Sequence, residues 1–132
     1  MALQIFLVAL GCAVGGVGRF LLGKGVNSQP WADGFPWSTL LINIIGSFLL
    51  GIFAELYIER QTSPIRQELY LLLGTGFCGG FTTFSTFSLE WFNLLKAGHT
   101  TSAMAYILTS AILCLLGTWL GILGTKTFSP HP

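Results

Sequence analysis

The stretch GTGFCGGFTTFSTFSLE, residues 74–90, decides the fold. It lies in a run without a charged side chain from Leu69 to Leu89. Four of its first seven residues are glycine, and after Phe81 the seven residues TTFSTFS carry only rings and hydroxyls. A helix that merely spans lipid has no use for this composition. Backbone can leave helical form at membrane depth only where it is buried in protein or lines a cavity. Gly74, Gly76, Gly79 and Gly80 predict such a break, because glycine reaches conformations closed to other residues. A break frees carbonyls, which suit a cation such as Na⁺, and opens a helix N-terminus, which suits an anion. The competing reading is a glycine-softened helix that only packs.

The surroundings are those of an integral membrane protein. Only 8% of the 132 residues are charged, against about 25% in a soluble domain. A net charge of +1 gives no basic field for nucleic acid and no acidic tail. Membrane crossing takes about 20 mostly apolar residues. Four segments qualify, at about 3–22, 37–57, 69–95 and 100–123, the third interrupted at its glycines. The linkers are short, so a single four-helix membrane domain over 1–132 is expected, all-α, with no room for a soluble domain. The opening MALQ has no basic residue, so the first helix is expected to stay uncleaved.

Small residues thin two spans: Gly11, Gly15, Gly16 and Gly18 in the first, Gly46, Ser47 and Gly51 in the second. Gly11 and Gly15 form a GxxxG pair, which serves either packing within the chain or dimerisation. Four spans put Arg60, Arg66 and Lys126 on the side of the N-terminus, and Arg19, Lys24 and Lys96 opposite. Orientation follows an imbalance of such charges. Three against three gives none, and insertion in both orientations would allow antiparallel dimers.

Several polar residues sit at span depth. Phe84 and Phe87 are three apart, on neighbouring helix faces. Their positive ring edges can favour an anion without a full charge, with Ser85, Thr86 and Ser88 as hydroxyl donors beside them; the alternative is core packing. Tyr106, Ser110 and Cys114 are spaced by four and share a face, forming a polar track or ordinary interhelical hydrogen bonds. Asn43 is a mid-span amide that needs partners, and its NH₂ can donate to an anion; Thr39 lies one turn before it. Cys12, Cys78 and Cys114 are odd in number and lie in apolar runs, which excludes a disulfide framework. His99 and His131 fall in a loop and a tail, so no catalytic constellation forms.

GFCGGFTTFSTFSLE resembles the signature of the Fluc fluoride channel family, also called CrcB proteins. The resemblance covers essentially the whole chain, with Arg19 ending the first span and Asn43 in the second. It implies a passive fluoride channel in the bacterial plasma membrane, an antiparallel dual-topology homodimer with two pores, which lets trapped cytoplasmic fluoride leave. It implies a structural, untransported Na⁺ on the backbone carbonyls of Gly79 and Thr82. It assigns the fluoride path to Asn43, Phe84, Phe87, Tyr106, Ser110 and Cys114, and the pore ends to Arg19 and Glu90. Cys114 departs from the serine frequent at its position, and a thiol is the weaker donor. Two other classes fit the sequence less well. A proton-coupled exporter needs an embedded carboxylate, and Glu55 and Glu90 both fall near span ends. An accessory subunit leaves TTFSTFS unexplained.

Overall fold

A computed structural model describes residues 1–58 and 64–128. Arg60 and His131 lie outside the described residues. The helices are α1 (Ala2–Asn27), α2 (Trp37–Phe53), α3 (Pro64–Tyr70), α4 (Gly79–Phe81), α5 (Phe84–Lys96) and α6 (Thr100–Phe128). A π-wound turn, Ala54–Ile58, continues α2, and a π-wound stretch, Leu71–Cys78, joins α3 to α4. No strand occurs among the described residues.

Three segments are long and apolar enough to cross a membrane: Ala2–Asn27, Trp37–Tyr57 and Thr100–Thr127. The second has the bounds read from sequence. The first runs five residues beyond the expected Leu22, through Lys24, whose long stem can carry its charge to the interface. The last runs past Leu123 to an ion pair, Lys126 Nζ to Glu55 Oε2 at 3.7 Å. The remaining segment is composite. It starts at Pro64, a residue suited to the first helical turn, and is helical to Phe81. It resumes at Phe84 and ends at Gly98, whose φ of 81° closes a Schellman turn. There His99 N–H donates to Leu94 O at 2.9 Å and Gly98 N–H to Leu95 O at 3.0 Å.

The break is not at the glycines. Residues 74–81 stay helical, and the chain extends only at Thr82 (ψ 160°) and Thr83 (φ −154°, ψ 118°). The glycines serve another purpose. At Gly76 an added Cβ would meet Gly11 Cα and the Val8 carbonyl oxygen, each at 2.9 Å. At Gly80 it would meet the backbone of Cys12, and at Gly15 the backbone of Phe77. α1 and the π-wound stretch thus touch backbone to backbone, which only small residues permit. The GxxxG pair is consumed inside the chain, so its dimerisation reading falls away.

α2 and α6 repeat the device. Gly51 faces the carbonyl of Thr118, and Gly121 faces the backbone of Phe48. The Thr118 hydroxyl donates to Ser47 O across the two helices at 3.2 Å. The outward faces of α1 and α6 carry exposed Leu, Ile, Val and Phe side chains, as a lipid-facing surface requires. The most buried large side chains include Tyr106 and Glu55, so polarity points inward.

Candidate functional site

The site is built on the break, and the break is built on Asn43. Thr82 N–H still reaches Cys78 O at 2.9 Å, as a helix demands. The next amide, Thr83 N–H, should donate to Gly79 O. It turns instead to Asn43 Oδ1 at 2.9 Å, while Asn43 Nδ2 donates back to Thr83 O at 3.1 Å. One amide side chain on α2 therefore holds both backbone groups of a residue 40 positions away. The Gly79 carbonyl loses its helical partner, and the Thr82 carbonyl accepts from Arg19 Nη1 at 3.2 Å. The sequence alone suggests Asn43 as a donor to an anion. Its oxygen and one N–H are spent on the clamp, and the second N–H remains.

Thr83 restarts the helix. Its Oγ1 accepts from Thr86 N–H at 3.2 Å, an N-cap. The same hydroxyl lies 3.0 Å from Thr86 Oγ1, to which it donates, and 3.3 Å from Ser85 Oγ. Sequence reasoning passed over Thr83. Its signal was present: a threonine at the head of an amphipathic run.

Between α2, the break, the start of α5 and the middle of α6 lies a cavity of about 560 Å³. Asn43, Phe84, Phe87, Ser110 and Cys114 all line it, with Thr82, Thr83 and apolar Leu50, Ile107 and Leu115. The rings of Phe84 and Phe87 are 5.4 Å apart and tilted by 40°. Among the described residues, no charged side chain lines it. Ser110 is 7% exposed, and its Oγ has no hydrogen-bond partner among the described residues. Buried hydroxyls are normally paired. An orphan on a cavity wall is a donor left for something that enters.

Arg19, Thr39, Thr86 and Glu90 collect elsewhere, around a second cavity of about 340 Å³ that Lys24 also lines. Both Glu90 oxygens are taken: Thr39 Oγ1 donates to Oε1 at 2.9 Å, and Tyr106 Oη to Oε2 at 2.8 Å. This divides the expected track. Ser110 and Cys114 face the first cavity, whereas the Tyr106 hydroxyl is drawn to the carboxylate, a stronger acceptor than another hydroxyl. The Tyr106 ring still bridges the regions, 4.9 Å from Phe87 on one side and edge-on to Phe35 at 5.4 Å on the other. Ser85 and Thr86 are exposed at the start of α5 and line no part of the first cavity.

Comparison with known proteins places this chain among relatives. The family model described as CrcB-like protein, Camphor Resistance (CrcB), matches residues 6–122. A Geobacter sulfurreducens protein named Fluoride-specific ion channel FluC is 48% identical over 122 residues, covering 92% of this chain and 96% of its own. A Coxiella burnetii protein of the same name is 44% identical over 124 residues, with 92% and 96% covered. One from Opitutus terrae, also so named, is 44% identical over 121 residues, with 92% and 90% covered.

Proposed function

We propose, from the premise that this chain belongs to the CrcB-like family, that it is a passive, selective fluoride channel of the bacterial plasma membrane. It is not an enzyme; its relatives are named as channels. The observation that carries the reading is the orphaned Ser110 hydroxyl in an uncharged cavity, beside two phenylalanines and the free N–H of Asn43. Fluoride holds its water tightly. A pore must replace that water with several modest donors and still let go. Ser110, Cys114, Asn43 and the ring edges of Phe84 and Phe87 make such a set. Arg19 and Lys24 at the second cavity draw anions towards it.

The direction of flow follows from acid–base chemistry. HF crosses lipid neutral, ionises in a near-neutral cytoplasm and leaves the anion trapped. A channel lets it out down its electrochemical gradient, which lowers cytoplasmic fluoride and confers resistance. No GxxxxGK[ST] occurs in the chain, and passive flow needs none. The exporter reading asks for a carboxylate free to trade protons; Glu55, at the end of its span, pairs with Lys126 through Oε2 while its Oε1 has no partner among the described residues, and both Glu90 oxygens accept from hydroxyls.

The composite segment 64–96 makes the fourth crossing. The balanced cation count supports insertion in both orientations and an antiparallel homodimer with two pores. Phe84, 78% exposed in the single chain, is then covered by lipid or by the second copy. Na⁺ fits the break. Carbonyl oxygens are ligands for a hard cation, the Gly79 carbonyl has been released from the helix, and the end of a helix carries partial negative charge. The Thr82 carbonyl keeps a second lone pair beside its bond to Arg19. Gly79 and Thr82 would hold the ion through their carbonyls, and a bound Na⁺ would supply a fixed positive charge at the break. It is not transported.

The test is fluoride efflux from liposomes holding the purified protein, followed with a fluoride electrode. Valinomycin clamps the potential, and chloride runs in parallel. Fast fluoride release without chloride release is expected. Silence from a folded protein would sink the assignment.

A further inference from the structure

Among the described residues, the two cavities share a single lining residue, Thr83. On one side of it lie Ser110 and Cys114, on the other Arg19, Lys24 and Glu90. Thr83 is 9% exposed and lines both cavities. Its backbone is immobilised at both N–H and C=O by Asn43. The movable part is the hydroxyl. That hydroxyl has one proton and two oxygens within reach, Thr86 Oγ1 at 3.0 Å and Ser85 Oγ at 3.3 Å. An anion in either cavity is a better acceptor than either oxygen.

We propose that Thr83 is the passage residue of the channel: its hydroxyl passes fluoride between the cavity of Arg19 and Lys24 and the cavity of Ser110 and Cys114, and its bulk sets the width of the step. This rests on the channel reading and adds to it a residue with a dual character. As N-cap, Thr83 holds the start of α5. As partition, it offers a donor that turns from one cavity to the other without any change in the backbone. A donor shared between two sites loses little when the ion moves on, which is what conduction requires of each site.

The two characters separate by mutation, because serine, asparagine and aspartate all cap helices well. Thr83→Ser keeps cap and hydroxyl, and fluoride efflux is expected to stay within about threefold of wild type, a barrier change under 1 kcal/mol. Thr83→Asn keeps the cap but fills the partition, and efflux should fall by about tenfold or more, at least one 1.4 kcal/mol step. Thr83→Asp keeps the cap, adds a negative charge and should fall at least as far; it decides the matter if the asparagine variant does not fold. Thermal melting and size-exclusion elution check folding throughout. If Thr83 only caps α5, asparagine and aspartate will both conduct like wild type, and the proposal is overturned. A folded serine variant that loses flux like asparagine overturns it too. Wild-type protein runs alongside in every case: its silence indicts the channel reading, whereas active wild type with an equally active asparagine variant indicts the passage residue alone.

Discussion

Residues 74–81 and 82–89 are neighbours in one uncharged stretch and solve opposite problems. The first half is half glycine and keeps its helix. The missing Cβ atoms admit the backbone of α1 to contact distance at Gly76 and Gly80. The second half has short hydroxyl side chains and gives the helix up at Thr82 and Thr83. There, side chains replace the lost ladder: the Asn43 amide for Thr83 N–H and C=O, and the Thr83 hydroxyl for Thr86 N–H. Glycine removes obstacles to packing. What ends a helix at membrane depth is a supply of substitute partners, since an unpaired backbone group there costs several kcal/mol.

The sharpest way to break this contrast is within the glycines. Gly76→Ala drives a Cβ into the backbone of Gly11 and Val8, which cannot move aside alone. Overpacking of this kind costs about 1–3 kcal/mol or more, and loss of the folded species on size exclusion is expected. Gly79→Ala meets nothing within 4 Å in its own chain and should yield folded protein. Equal melting of the two variants would show that close approach is not what the glycines provide.

Asn43→Asp comes next. It removes the donor to Thr83 O and sets a carboxylate oxygen against a carbonyl on the cavity wall. Fluoride efflux should drop by about a hundredfold, from like-charge repulsion together with a lost buried hydrogen bond. Undiminished efflux would place Asn43 outside the path. Phe87→Ile keeps an apolar side chain and removes the ring edge. A fall of about twofold to tenfold is expected, as for the loss of roughly one ring-edge contact of 0.5–1.5 kcal/mol, and normal flux would retire the ring-edge argument.

Ser110→Ala separates function from fold most cleanly. Its hydroxyl bonds nothing among the described residues, so the melting temperature should not fall, because no buried partner is orphaned. Efflux should fall a few-fold. A drop in stability would mean that the hydroxyl has a protein partner after all. The smallest effect belongs to Cys114→Ser, which exchanges a weak S–H donor for a stronger one on the same wall. Efflux should rise about twofold, and a fall would show that the thiol is the better fit.

Length and hydropathy made Trp37–Tyr57 legible to the residue, because a lipid-spanning helix is specified by composition alone. They understated α1, since Lys24 can sit inside a helix while its charge reaches the interface. The cavity wall was legible in part: Asn43, Phe84, Phe87, Ser110 and Cys114 are the polar and ring residues of three different spans, and they meet. The place of the break was not. Its causes are a cap three residues long and a clamp from another helix, and the glycines beside it advertise a bend they do not make. Nor did spacing reveal where Tyr106 points. Periodicity fixes the face of α6, but the partner that captures the hydroxyl, Glu90, lies on α5.

The Asn43 clamp also bears on how the chain is made. A protein is synthesised from its N-terminus, so its earlier parts are available to fold first. The segment 37–53 leaves the ribosome well before residue 83, so the amide that will hold the break is in place before the break exists. Residues 82–83 then arrive in lipid with a partner waiting, and the interval in which their backbone stands unpaired is short. The reverse order, clamp after break, would strand two polar groups in hydrocarbon until α2 arrived.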